Sequence, residues 1–230
     1  MNNSHTLPAM EAGLQPPAAK VPPPAPFIPF RRISVRTAIW SFLLGVALVC
    51  PVLFIVNLLS IPATAADLAR PQRFLEYMLH PGGLLLKAVI LAPLWEEIFY
   101  RGIILQLARR YLPAWGAIVL SSVIFAVPHA GMGLGTAVFA LLTGTLLAWV
   151  VVRSGSLLAS LLCHSTVNLT WLFVLGPAFG ITEKFMNYVP GSPAEYPFTA
   201  LFPIWWIVLS LALLAAALVM LGRRARVSVR

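Results

Sequence analysis

Charge is scarce in this sequence. Only 10% of its 230 residues are Asp, Glu, Lys or Arg, against roughly a quarter in an ordinary soluble domain, and just seven are acidic. A soluble single domain is thereby the wrong class. Cysteine is almost absent. The two that occur, Cys50 and Cys163, fall inside apolar segments, which excludes a disulfide scaffold or a CxxC metal site and suits buried thiols acting as small hydrophobes. A basic face or an aromatic-interleaved basic stretch is also missing, so the formal net charge of +9 does not point to nucleic acid.

What is present is apolar: 60% of the residues are hydrophobic. They come in runs near the roughly 20 residues that a helix needs to cross a hydrocarbon core. Backbone groups in lipid must bond within their own segment, so these runs predict helices. The expected spans are Thr37–Leu59, Leu84–Ala108, Ala114–Pro128, Gly133–Val152, Leu157–Leu175 and Leu201–Leu221, an all-α polytopic bundle of about six transmembrane helices. Residues 1–30 hold eight of the twenty prolines and read as a disordered tail. The first apolar run is longer than a typical signal-peptide core, so it is expected to remain as an anchor. Residues 65–79 suit an interfacial turn of helix, and the proline-bearing stretch 176–200 reads as a loop. The domain division is then a Pro/Ala-rich tail (1–35), a membrane domain (36–222) with its catalytic core at 84–175, and a basic C-terminal tail (223–230).

The basic residues sit at the ends of apolar runs. With the N-terminus inside, Lys20, Arg31, Arg32, Arg36, Arg109, Arg110, Arg153, Arg223, Arg224, Arg226 and Arg230 are cytoplasmic. Only Arg70, Arg73 and Lys184 are outside, and Lys87 and Arg101 lie within the second helix. That bias predicts an even number of spans and both termini in the cytoplasm, as in a bacterial inner membrane. Thr136, Ala140, Gly144 and Ala148, at spacing four, form a small-residue stripe along which another helix can approach closely.

Two of the seven acids are adjacent in mid-helix, in Leu94-Trp95-Glu96-Glu97-Ile98-Phe99-Tyr100-Arg101. One such ion at a helix centre costs about 2.5–3.5 kcal/mol on insertion scales, so an ionisable pair there is by default a functional hypothesis. Glu97 and Arg101 are four apart and share a face, as an internal ion pair requires. Glu96 points about 100° away around the helix and has no local partner, which suits a general base. A packing network of buried ions accounts for Glu97 and Arg101 but not for Glu96. His129 and His164 also fall in apolar helices, whereas His5 and His80 do not. Ser160, His164 and Asn168 make a polar stripe on the fifth helix, either helix–helix glue or donors for a developing oxyanion. There is no HExxH, GxSxG or GxGD motif, and the single aspartate, Asp67, lies outside the apolar spans, which removes soluble-type zincins, serine-hydrolase elbows and presenilin-type aspartyl sites. Ser154-Gly155-Ser156 is a short connector without a rhomboid-like context.

Glu96-Glu97-x-x-x-Arg101, Phe125-x-x-x-His129 and His164-x-x-x-Asn168, in that order on apolar helices, closely resemble the motifs of the CPBP family, the CAAX protease and bacteriocin-processing group also called Abi. The resemblance covers about residues 85–175. It implies an all-helical membrane bundle with a cavity between the second, third and fifth helices, and an intramembrane endopeptidase in which Glu96 and His129 activate water. It further implies that His164 and Asn168 stabilise the oxyanion, that Glu97 and Arg101 hold the site together, and that Phe125 orients His129. The expected substrate is a membrane-associated or lipid-modified protein or peptide. A metal-independent glutamate protease is the preferred reading, with no cofactor. The alternative is a metalloprotease in which Glu96, His129 and His164 bind zinc and leave one position for water. Two non-peptidase classes compete: a scaffold or bacteriocin-immunity-type protein that retains the fold, and a proton-coupled carrier. A pure binder has no use for an unpaired buried carboxylate, and a carrier lacks its expected inverted repeat here.

Overall fold

A computed structural model describes residues 28–58, 83, 85–131, 134–175 and 204–223. The tail up to residue 27, the interfacial turn expected at 65–79, the loop expected at 176–200 and the last seven residues lie outside the described residues. All regular structure among the described residues is helical. The helices are α1 (Val35–Leu58), α2 (85–108), α3 (Ala114–Ala130), α4 (Leu134–Ser154), α5 (157–175) and α6 (Ile204–Gly222). Each lies where an apolar run predicted it, with ends displaced by no more than a few residues.

Two helices change pitch along their length. In α2, the wide i→i+5 winding of Leu85–Leu91 and Glu97–Ile104 alternates with ordinary α-helix at Ala92–Glu96 and Leu105–Ala108. In α5, ordinary helix over Leu157–Leu169 gives way to the same wide winding at Thr170–Leu175. Such π-type turns often occur at functional positions in helices.

The chain is an all-α membrane helix bundle. By length and apolarity α1, α4 and α6 each suffice to cross a bilayer, while α3 and α5 are apolar but shorter. Large apolar side chains face outwards, among them Trp95, Trp115, Val127 and Trp205, each more than half exposed, as a lipid-facing surface requires. Inside, α1 is the central post. Its Leu48, Val49, Cys50, Val52 and Leu53 pack with Val167 of α5, flanked by Phe139 of α4 and Trp206 of α6. The α1–α5 approach is close enough that a Cβ on Gly45 would fall 2.5 Å from the carbonyl oxygen of Cys163. Helix α3 lies along α4, where Ala140, Gly144 and Ala148 of the small-residue stripe are buried.

The described arginines other than Arg101 gather at one end of the bundle. The Ser156 hydroxyl donates to the Arg31 carbonyl at 2.5 Å, and the Leu157 N–H donates to the Pro29 carbonyl at 2.9 Å, so the residues just before α1 strap across the start of α5 rather than hanging free. Two carbonyls at the end of α6, left without intrahelical donors, are served by arginines of other helices: Arg36 donates to Met220 and Arg153 to Gly222. Arg109 and Arg110 follow α2 at the same end, beside the cluster of Leu105, Ala108, Ala117 and Leu157. Gly155, at φ +68°, makes the tight α4–α5 turn, a backbone conformation that favours glycine.

Candidate active site

Helices α2 and α5 run past each other in opposite directions, and the polar residues of each meet on the shared face. Glu97 and Arg101 are buried, 1% and 0% exposed. A buried carboxylate is tolerable only when its oxygens are satisfied, and those of Glu97 are. Oε2 accepts from the Ser160 hydroxyl at 2.7 Å, and Oε1 lies 2.9 Å from Nδ1 of His164 and 3.1 Å from Nη1 of Arg101. The Arg101 contact is a charge contact off the hydrogen-bonding direction, and Nε and Nη1 of Arg101 have no hydrogen-bond acceptor among the described residues. Its Nη2 donates to the Gly144 carbonyl at 3.1 Å, and its guanidinium carbon sits 4.2 Å above the centre of the Phe125 ring, a cation–π contact.

Arg101 can be so placed because Gly144 has no side chain: a Cβ there would lie 2.8 Å from Cδ1 of Phe125 and 3.1 Å from Nη2 of Arg101. The small-residue stripe of α4 is therefore more than a packing seam, since at Gly144 it also supplies an acceptor for the buried cation. Sequence reasoning missed that second use. The available signal was a glycine within the stripe and a buried arginine needing an acceptor from another helix.

Glu96 is the other kind of carboxylate. Its side chain is 24% exposed, and Oε2 faces Nε2 of His164 across 3.6 Å, too long for a direct hydrogen bond. His164 thus stands between the two acids, with Nδ1 on the buried one and Nε2 turned to the more open one. The ring packs edge-on against Phe125 at 5.9 Å between centroids, and His129 lies against the same phenyl ring at 4.7 Å. A second contact joins the two residues, because Nδ1 of His129 is 2.8 Å from the backbone carbonyl of Phe125. A carbonyl can only accept, so Nδ1 carries a hydrogen and the lone pair of a neutral His129 is on Nε2.

The structure brings together Glu96, Glu97, Arg101, Phe125, His164 and Ser160 by direct contact, with His129 joined to them through Phe125. Asn168 is reached differently. Its side-chain amide donates to the Ala88 carbonyl of α2 at 2.8 Å, so one of its two N–H groups ties α5 to α2.

The three residues offered as zinc ligands do not fit that role: among the described residues no three His, Cys, Asp or Glu side chains are grouped to hold a metal ion. Glu96, His129 and His164 line the same region without converging as a ligand set.

Helical membrane protein and buried carboxylate–imidazole–guanidinium centre together define a class, the polytopic membrane proteins that keep a reactive polar site within the bundle. Residues 79–170 match the family described as "Type II CAAX prenyl endopeptidase Rce1-like", and the matched stretch contains every residue of the three motifs. No curated protein and no solved structure matches the chain.

Proposed function

We propose that the protein is an intramembrane endopeptidase that hydrolyses a peptide bond in a membrane-associated or lipid-modified protein or peptide. The observation that carries this reading is the inequality of the two adjacent carboxylates: Glu97 is buried and fully engaged, whereas Glu96 is partly open and has no hydrogen-bonded partner on its own helix. A scaffold that only binds needs the first and not the second.

In this mechanism Glu96 takes a proton from a water molecule, and the resulting hydroxide attacks the carbonyl carbon of the scissile bond. His129, with its Nε2 lone pair free, is the second acceptor for that water. The carbonyl oxygen becomes an oxyanion. When His164 carries both ring protons, Nδ1–H is spent on Glu97 and Nε2–H is directed to the Glu96 side, where the oxyanion forms. Glu97 orients and charge-balances that ring, as a buried carboxylate does for the histidine of a serine protease triad. Glu96 then returns its proton to the leaving amine as the C–N bond breaks. The arginine-bearing end of the bundle is the cytoplasmic one on the positive-inside rule, which puts the start of α1 and the end of α6 on that side.

The test is turnover by purified protein in lipid vesicles of an internally quenched peptide carrying a farnesylated cysteine near its C-terminus, with an unlipidated copy alongside. Wild type should cleave the lipidated peptide and Glu96→Gln should not, although the variant should unfold at the wild-type temperature. Cleavage by the purified Glu96→Gln protein would remove Glu96 as the base.

A further inference from the structure

We propose that Arg36, Arg153 and Arg223 form a binding site for the phosphate of an anionic phospholipid headgroup at the C-terminal end of α6. Among the described residues, the helices long and apolar enough to cross a bilayer are α1, α4 and α6. Each brings an arginine to the same end of the bundle: Arg36 in the first turn of α1, Arg153 in the last turn of α4, and the exposed Arg223 directly after α6. Two of them converge on one helix terminus. Arg36 donates through Nη2 to the Met220 carbonyl at 3.3 Å, and Arg153 donates through Nη2 to the Gly222 carbonyl.

Capping accounts for only part of this charge. The C-terminal end of a helix carries about half a negative charge, against three guanidinium groups. The two caps use one donor of Arg36 and one of Arg153, and each planar fork has others. Among the described residues the only carboxylates are Glu96 and Glu97 in the middle of α2, so no acid there balances the arginines. The positive-inside rule explains the sign of such an end, but not the gathering of cations on a single terminus. A phosphodiester complements it, since the guanidinium fork binds phosphate oxygens in pairs. The surroundings suit a lipid. Trp40 lies one turn inward from Arg36 and Trp149 one turn inward from Arg153, both packed on the cluster of Leu44, Leu147 and Ala217, and tryptophan is enriched at headgroup level. Below the arginines, Ile39 of α1 and Val219 of α6 are 52% and 53% exposed and offer apolar contact to acyl chains. Basic sites between membrane helices take anionic headgroups in this way.

The site needs no substrate, so its test is independent of the peptidase reading. Purified protein in detergent is titrated with phosphatidylglycerol or phosphatidylcholine, bound lipid is counted by native mass spectrometry, and the unfolding temperature is followed alongside. Phosphatidylglycerol should bind in preference and raise the unfolding temperature. Arg223→Gln leaves both carbonyl bonds in place and should weaken that binding roughly fivefold, with a similar further loss when Arg153→Gln is added. Arg109→Gln with Arg110→Gln removes the same charge at the same end and should leave it nearly unchanged. Equal weakening by the two pairs overturns the proposal in favour of a diffuse surface field. Stabilisation by inorganic phosphate that matches phosphatidylglycerol overturns it as well, because the ligand is then a soluble anion. If wild type prefers neither lipid, the arginines cap α6 and do nothing more.

Discussion

Nδ1 of His164 lies 2.9 Å from Oε1 of Glu97, an imidazole on one membrane helix held by a buried carboxylate on another. That contact organises the rest of the site. It turns Nε2 toward Glu96 and divides two neighbouring acids into one that holds the ring and one that stays partly open.

The buried ion pair should be costly to halve. Glu97→Gln leaves the guanidinium of Arg101, 0% exposed, without its counter-charge, and Arg101→Met does the same to Glu97. Each single change is expected to destabilise by about 3–5 kcal/mol. Together, the two changes should cost less than their sum, since no charge is then stranded. Unfolding of the four proteins in detergent, treated as a double-mutant cycle, checks this, and strict additivity would count against the pair.

Ser160 was legible only as part of a polar stripe, and its partner makes its role specific. Its hydroxyl reaches Oε2 of Glu97 at 2.7 Å, while the Leu157 carbonyl is farther, at 3.2 Å. Ser160→Ala therefore removes a hydrogen bond to a charged group, worth about 1.5–3 kcal/mol. It also frees the Glu97 carboxylate to turn away from His164, so kcat should fall more than KM rises. A Ser160→Ala protein with wild-type unfolding and turnover would show that the hydroxyl does no more than fill space.

The helices and the ionisable centre were readable from the chain because both rest on strong local signals. Runs of apolar residues fix spans regardless of their neighbours, and a Glu-Glu pair in mid-span is too unfavourable to be incidental. The i,i+4 spacing foretold the Glu97–Arg101 contact. What escaped were relationships between helices. That the Gly144 carbonyl serves Arg101 depends on how α4 packs against α2, and the glycine in the stripe signals only that a close approach is possible. Nothing near Asn168 indicates that its amide donates to the Ala88 carbonyl, because that depends on how α5 packs against α2 rather than on local propensity. The same holds for His164, whose place in a stripe was clear but whose two-sided contact with both acids was not.

Gly144 offers a test of how tightly the cation is held. A Cβ there would lie 2.8 Å from the edge of the Phe125 ring and 3.1 Å from Nη2 of Arg101, so Gly144→Ala should overpack the site by about 1–3 kcal/mol. Both obstructing groups are side chains. Phe125→Leu in the same protein should recover part of the stability, although it gives up the cation–π contact. Detergent unfolding of the single and double variants reads the coupling, and an absence of any recovery would mean that the ring is not what resists the methyl group.

Gly45 makes the contrasting case, because there the obstruction is backbone. An added Cβ would stand 2.5 Å from the Cys163 carbonyl oxygen and 2.7 Å from Cβ of Thr166, so α1 and α5 must separate to admit it. Gly45→Ala should thus destabilise at least as much as Gly144→Ala. Trimming Thr166 to Ala leaves both of those atoms in place, since Cβ remains, so the double variant should recover little. Activity should fall with the stability, because Cys163 adjoins His164 on α5, and any outward movement of that turn carries the imidazole away from Glu96. A Thr166→Ala change that restores the unfolding temperature of the Gly45→Ala protein would show that side-chain crowding, rather than the Cys163 carbonyl, sets the α1–α5 distance.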